Sequence, residues 1–174
     1  RKWNDFLIKK YGSTEALKNA WIVKTPDDGK ELLLDANQDS YNSSWKIQKA
    51  GPANASYQFK YAAKRDGLDN DYYLRLNITT NHRGKLEPRL YQTGLKVKQG
   101  QPYCLKFKIR SDSPMTVCTR LHMDHDPWKE AGLKVYPKSD FEWKEYKYNF
   151  VSPITDDNVK FVMNNFAPGI VDIA

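Results

Sequence analysis

Beyond residue 30 the chain is a succession of short runs in which apolar and polar residues alternate, each closed by Gly, Pro, Asn or Asp. ELLLDA, SYQFKYAAK, DYYLRLNITT, LEPRLYQTGLKV, QPYCLKFKIRS, MTVCTRLHMD, WKEYKYNFVS and VKFVMNNF are the strongest. A period of two sends successive side chains to opposite faces, so each run reads as a strand with one buried face. Parallel strands would need crossover segments of a dozen residues or more, usually helical, and none intervenes. Strand following strand therefore predicts an all-β fold, an antiparallel β-sandwich or jelly roll. At 174 residues the chain is long enough to bury the core such a sandwich needs.

The beginning is different. Trp3, Phe6, Leu7 and Tyr11 recur at helical spacing, and Gly12 breaks the pattern. Ser13 then reads as the N-cap of a second helix whose apolar face is Ala16, Leu17, Ala20 and Trp21. This short helical hairpin ends near KTPDDGK, which is turn chemistry. Residues 1–25 thus form a helical appendage or linker, and residues 30–174 the sandwich. Abrupt ends suggest a piece of a longer protein.

No apolar run approaches the roughly 18 residues of a membrane span. The net charge of +7 invites an anionic polymer, yet the basic residues are dispersed and mark first of all a solvated surface. Trp, Tyr and Phe make up 13% of the chain, and ring faces can stack on sugars or bases without any catalytic group. Cys104 and Cys118 are too few for a disulfide framework.

QPYCLKFKIR and MTVCTRLHMD read as one hairpin turning through Asp112, Ser113 and Pro114. Ile109 then opposes Val117, and Leu105 opposes Leu121, on the core face. By that register His122 opposes Cys104, Arg120 opposes Lys106, and Cys118 opposes Lys108. The cysteines stand about 13 Å apart along the ladder, too far for a disulfide. The facing cations need a carboxylate between them, from Glu142 or Glu145.

HMDHDPWKEAGL, residues 122–133, crowds His122, Asp124, His125, Asp126 and Trp128 together. A transition metal asks for three or four converging ligands, and His82 is the only other histidine. A glycosidase asks for two carboxyls at a defined separation; Asp124, Asp126 and Glu130 are candidates, but nearness in sequence is a weak signal. In the third reading Asp126-Pro127 makes a turn that presents Trp128 at a sheet edge, where the ring is either a ligand platform or a cap on the core.

Several passages taken together resemble a known family. LYQTGLKVKQGQPYCLKFKIRS, HDPWKEAGL, FEWKEYKYNFVSP and FVMNNFAPGIVDIA follow, in order and spacing, the motifs of carbohydrate-binding modules grouped around families four, nine, sixteen and twenty-two. Those modules have a galactose-binding-like jelly roll. FLIKKYGSTEALKNAW resembles a stretch found within barrel-type glycoside hydrolases. The resemblance implies a non-catalytic module, secreted, that targets a covalently linked polysaccharide hydrolase to plant cell-wall β-glycans such as cellulose, xylan or mannan. It requires no cofactor, although relatives often hold a structural calcium, for which Asp35, Asp39 and Asp172 are the candidate oxygen donors.

On this reading Trp128 is the first choice of platform. Arg89 and Tyr91 alternate with inward Leu90 and face outward; Gln92 matches the family passage but shares Leu90's parity. Arg120, His122 and Asp124 are hydroxyl partners on the outer face, joined by whichever of Asn164 and Asn165 points outward. Trp45 is a second platform or a core residue, and Tyr136 a further platform. Two other classes stay open. One is a glycoside hydrolase or lyase acting through Asp124 or Glu130. The other is a basic sandwich that binds anionic polymers through Lys106, Lys108, Arg110 and Arg120, with nucleic acid the least favoured partner.

Overall fold

The computed structural model describes residues 2–14, 16, 32–33, 44–61, 68, 72–82 and 87–174. Among these residues one helix, α1 (Lys2–Tyr11), precedes twelve strands: β1 (Lys46–Gln48), β2 (Asn54–Tyr61), β3 (Tyr72–Thr80), β4 (Arg89–Val97), β5 (Pro102–Ser111), β6 (Met115–Thr116), β7 (Cys118–Met123), β8 (Glu130–Val135), β9 (Lys138–Ser139), β10 (Lys144–Val151), β11 (Asp156–Asn164) and β12 (Gly169–Ile173). They build two five-stranded sheets, ordered β1-β4-β11-β7-β8 and β10-β5-β12-β3-β2, plus the small pair β6-β9. Every pairing is antiparallel. The all-β sandwich read from the alternation is the fold observed.

α1 ends as expected. Gly12, at φ +72°, donates its N–H to the Ile8 carbonyl at 2.8 Å, and Ser13 Oγ accepts the Ala16 N–H at 3.0 Å as an N-cap does. The remainder of the second helix and most of ELLLDA lie outside the described residues.

The inner faces carry the alternation into the core. Leu74, Leu76 and Ile78 of β3, Leu105, Phe107 and Ile109 of β5, and Val171 and Ile173 of β12 meet Leu90, Leu95 and Val97 of β4, Leu121 of β7, Leu133 of β8 and Val159, Phe161 and Met163 of β11. Each such side chain stabilises the fold by about 1.5–3 kcal/mol on full burial. Many of the rings serve here too. Tyr146 and Tyr148 stack at 5.9 Å beside Phe107, Tyr103 stacks on Phe150 at 5.6 Å, and Trp45 meets Phe161 edge-on at 5.9 Å.

The expected hairpin between QPYCLKFKIR and MTVCTRLHMD does not form. β5 lies between β10 and β12 in one sheet; β7 lies between β11 and β8 in the other. The apolar sets do face one another, but across the core. Alternation fixes which face turns inward and is silent about whether its partner is beside it or opposite it. In the observed pairing β5 takes Glu145 of β10 opposite Lys108; Lys147 stands opposite Lys106, and Glu145 lies 3.6 Å from Lys106 to offset that pair. Both cysteines are free, as expected, but because they belong to different sheets.

Candidate functional site

The outer face of β1-β4-β11-β7-β8 is built in rows across the strands. Register places Lys46, Tyr91, Val162, Arg120 and Lys134 in one row. At the next level Gln48 pairs with Arg89, and Asn164 with Cys118. A third joins Lys160, His122 and Glu130. Above it an open groove of about 400 Å³ is lined by Gln48, Arg89, Arg120, His122, Asp124, Trp128 and Lys160.

Two irregularities aim these residues. Between Leu121 and His122 the β7–β8 register slips, so Glu130 stands opposite His122. The slip includes Gly132 at φ +102°, where a Cβ would come within 2.5 Å of the Val151 carbonyl oxygen; only glycine fits. After β7 the chain turns sharply, with the Trp128 N–H donating to the His125 carbonyl at 2.8 Å around a cis Asp126–Pro127 bond. Trp128 sits at φ +59° and leaves its indole 56% exposed, 6.4 Å from the His122 ring. His125 clips this turn to β11: Nδ1 lies 2.8 Å from the Asp126 carbonyl oxygen and Nε2 2.9 Å from Asp156 Oδ2. Both partners accept, so both ring nitrogens must donate. The two bonds, the carbonyl's first, accordingly push the His125 pKa up.

The polar groups of this face are unusual for buried ones. Asn164 is 1% exposed, yet neither its Oδ1 nor its Nδ2 has a hydrogen-bond partner. His122 Nε2, Arg120 Nε and Glu130 Oε2 are likewise buried and unpaired. Leaving a buried polar atom unsatisfied costs about 1–3 kcal/mol, so a cluster of them, with Arg120 and His122 lining the groove and Asn164 and Glu130 on the same sheet face, marks a surface made for a polar ligand. His122 Nδ1 lies 2.7 Å from the Met123 carbonyl and donates to it, which in the neutral ring leaves Nε2 as an acceptor. Burial foremost, with Arg120 and Lys160 nearby, pushes the His122 pKa down, in the direction of the neutral ring.

The expected site residues divide accordingly. Trp128, Arg89, Arg120, His122 and Asp124 converge on the groove. Tyr91 joins their face, its ring covered by Lys160 Nζ at 4.1 Å. Tyr136 is 57% exposed. Asn164, not Asn165, is on this face: it alternates with core Met163, whereas Asn165 follows β11 at φ +64° and ties down the Thr116 carbonyl at 3.0 Å. Gln92 is no surface ligand, being 1% exposed with the parity of Leu90. Trp45 is 5% exposed and packs in the core, so it is not a platform. Lys160 and Gln48 escaped the sequence reading, although Lys160 alternates with Val159 and Phe161 as an outward residue must.

Asp172 is on the other sheet and does not suit calcium. Arg75 donates to it from Nε (2.7 Å) and Nη2 (2.8 Å), and Arg110 from Nε (2.9 Å). A carboxylate so enclosed by guanidinium groups has no oxygen to offer a cation. Asp35 and Asp39 lie outside the described residues. Among the described residues no three His, Cys, Asp or Glu side chains converge as a metal set. Asp124 lies 3.4 Å from Lys160, and Glu130 lies 3.5 Å from Arg120 and 3.6 Å from Lys134, so each carboxylate is already engaged with a cation.

No family model matches the sequence, and no curated protein matches it significantly. Solved structures do. A family 4 carbohydrate-binding module superposes with a TM-score of 0.64 at 16% identity, covering 81% of this chain and 94% of its own. The second N-terminal cellulose-binding domain of Cellulomonas fimi β-1,4-glucanase C gives 0.59 at 15% identity, covering 87% and 94%. A family 22 xylan-binding domain from Paenibacillus barcinonensis Xyn10C gives 0.53 at 6% identity, covering 79% and 85%. At such identities the likeness establishes the fold: the chain has the jelly roll of these modules. Among the described residues no helix is long and apolar enough to cross a membrane.

Proposed function

We propose that this chain is a non-catalytic carbohydrate-binding module whose ligand lies along the groove on β1-β4-β11-β7-β8. The observation that carries the reading is the set of buried, unpaired polar atoms of Asn164, Arg120, His122 and Glu130 beside the exposed indole of Trp128. A pyranose offers both kinds of surface that such a groove lacks: hydroxyls that donate and accept, and a C–H face that stacks on a ring. The fold's relatives support it, being modules named for cellulose and xylan. On the same reading the chain belongs to an exported polysaccharide hydrolase, linked to it through residues 1–25, and steers that enzyme to plant cell-wall β-glycans. The carboxylates of Asp124 and Glu130 hold cations and are given no catalytic role.

Affinity gels containing hydroxyethylcellulose, xylan or mannan test the proposal, with reducing-sugar release measured in parallel. Retardation in at least one gel without release is expected. Release that disappears in Asp124→Asn would make the chain a hydrolase instead.

A further inference from the structure

The groove carries more positive charge than a neutral sugar calls for. Resting on the reading above, we propose that its glycan contains an acidic sugar, and that Arg120 receives the uronate carboxylate with Arg89 and Lys160 around it.

Three of the groove's lining residues are cations, Arg89, Arg120 and Lys160, against one carboxylate, Asp124. Lys46 and Lys134 extend the same face, which Glu130 and Glu87 only partly balance. Arg120 is the central member. Its strand, β7, lies between β11 and β8, and its side chain is 25% exposed. Its Nε is buried without a partner, and the nearest carboxylate oxygen, Glu130 Oε1 at 3.5 Å, is shared with Lys134. A partly buried guanidinium held only by one shared, 3.5 Å contact and with its Nε unpaired has a natural complement, a planar carboxylate bound through two parallel hydrogen bonds. Arg89 stands on the same groove wall, paired with Glu87 at 2.9 Å.

The other sheet shows why charge alone does not place the site. Its outer face carries Lys60, Arg75, Lys106, Lys108, Arg110 and Lys147. There the guanidinium groups are committed: Arg75 and Arg110 spend three hydrogen bonds on Asp172, and Arg110 also lies 4.6 Å over the Trp143 ring. An acidic sugar finds in the groove a guanidinium, that of Arg120, whose Nε has no partner, and opposite it guanidinium groups already bonded to Asp172.

The test is calorimetric titration of the whole chain with matched pairs: glucuronoxylan, polygalacturonate and alginate oligosaccharides, each beside its carboxyl-reduced form. For at least one pair the acidic form is expected to bind about tenfold more tightly at low salt, the gain of one charge-assisted bidentate contact. Salt should shrink the gap. Arg120→Gln should abolish the difference between the two forms, Arg120→Lys should keep part of it, and Lys106→Gln should keep all of it. In the unmodified protein the His122 ring, followed by NMR, should titrate higher with the acidic form bound than with the reduced one. Equal affinity within every pair, or a preference lost in Lys106→Gln and kept in Arg120→Gln, overturns the inference and leaves glycan binding standing. If neither these ligands nor the neutral gels are bound, the glycan-binding reading itself falls.

Discussion

On the outer face of β10-β5-β12-β3-β2, Asp172 takes three hydrogen bonds from two arginines, and Tyr73 and Trp143 pack edge to face at 5.7 Å beside them. On the outer face of the other sheet Asn164 has neither of its polar atoms paired, and Arg120, His122 and Glu130 each leave one unpaired. Both faces come from the same two-residue alternation and both carry arginine, tyrosine and tryptophan. They differ in completion. The first has closed its charges on each other and contributes to stability; the second holds its polar groups open and is available for a ligand. Composition does not distinguish them, whereas hydrogen-bond accounting does by degree: the first face leaves Trp143 Nε1 unpaired, the second both polar atoms of Asn164 and one each of Arg120, His122 and Glu130.

The sharpest way to break this contrast is to injure each face separately. Asp172→Ala leaves two guanidinium groups without their shared partner and should cost about 2–4 kcal/mol in chemical denaturation. Glycan affinity of the folded fraction should be unchanged. Trp128→Ala should do the reverse: about a tenfold loss of affinity, on the order of 1 kcal/mol of ring stacking, with the denaturation midpoint held. If Trp128→Ala bound as well as the parent, the site would be misplaced.

Asn164→Leu sharpens the comparison from the other side. An apolar side chain of similar size removes two unsatisfied atoms, so the free protein should become more stable by up to about 1 kcal/mol. Binding should weaken several-fold. A loss of stability would mean that Asn164 is already satisfied in the free protein.

The smallest effect is one of pH. The His125 clip requires a doubly protonated ring facing the Asp126 carbonyl and Asp156, with Asp157 adding to the acidic surroundings. Because its folded pKa is raised, the clip is complete below the ordinary histidine value near 6.5 and is lost as pH rises through the folded value. Affinity should therefore fall a few-fold between about pH 6 and about pH 8, and His125→Gln should flatten the profile. The His122 pKa is pushed down, mainly by burial, so its titration moves the opposite way from that of His125.

Much of this was legible in the sequence. Alternation in β2, β3, β4, β5, β10 and β11 gave the class of fold. The parity of Leu90 sent Arg89 and Tyr91 outward and Gln92 inward, as found. Parity cannot say which strands share a sheet, and that is where the β5–β7 hairpin failed: consecutive strands pair here only as β2–β3 and β7–β8 among the long ones. The strand β8 hid inside HMDHDPWKEAGL because Gly132 interrupts its alternation. Trp45 stayed open between core and platform because a tryptophan at a strand end looks alike whether it packs on Phe161 or on a ligand. The open polar groups of Asn164 and Glu130 had no signal at all, since satisfaction is a property of the assembled sheet.

The most direct measurement is a two-dimensional NMR titration of the chain with oligosaccharides cut from whichever polysaccharide retards it. Perturbations should gather on the Trp128 indole, the Asn164 side-chain amide and the backbone of Arg89, Arg120 and His122, with Tyr73, Arg75, Arg110 and Trp143 unmoved. Shifts centred on that second group, with the groove silent, would contradict the account.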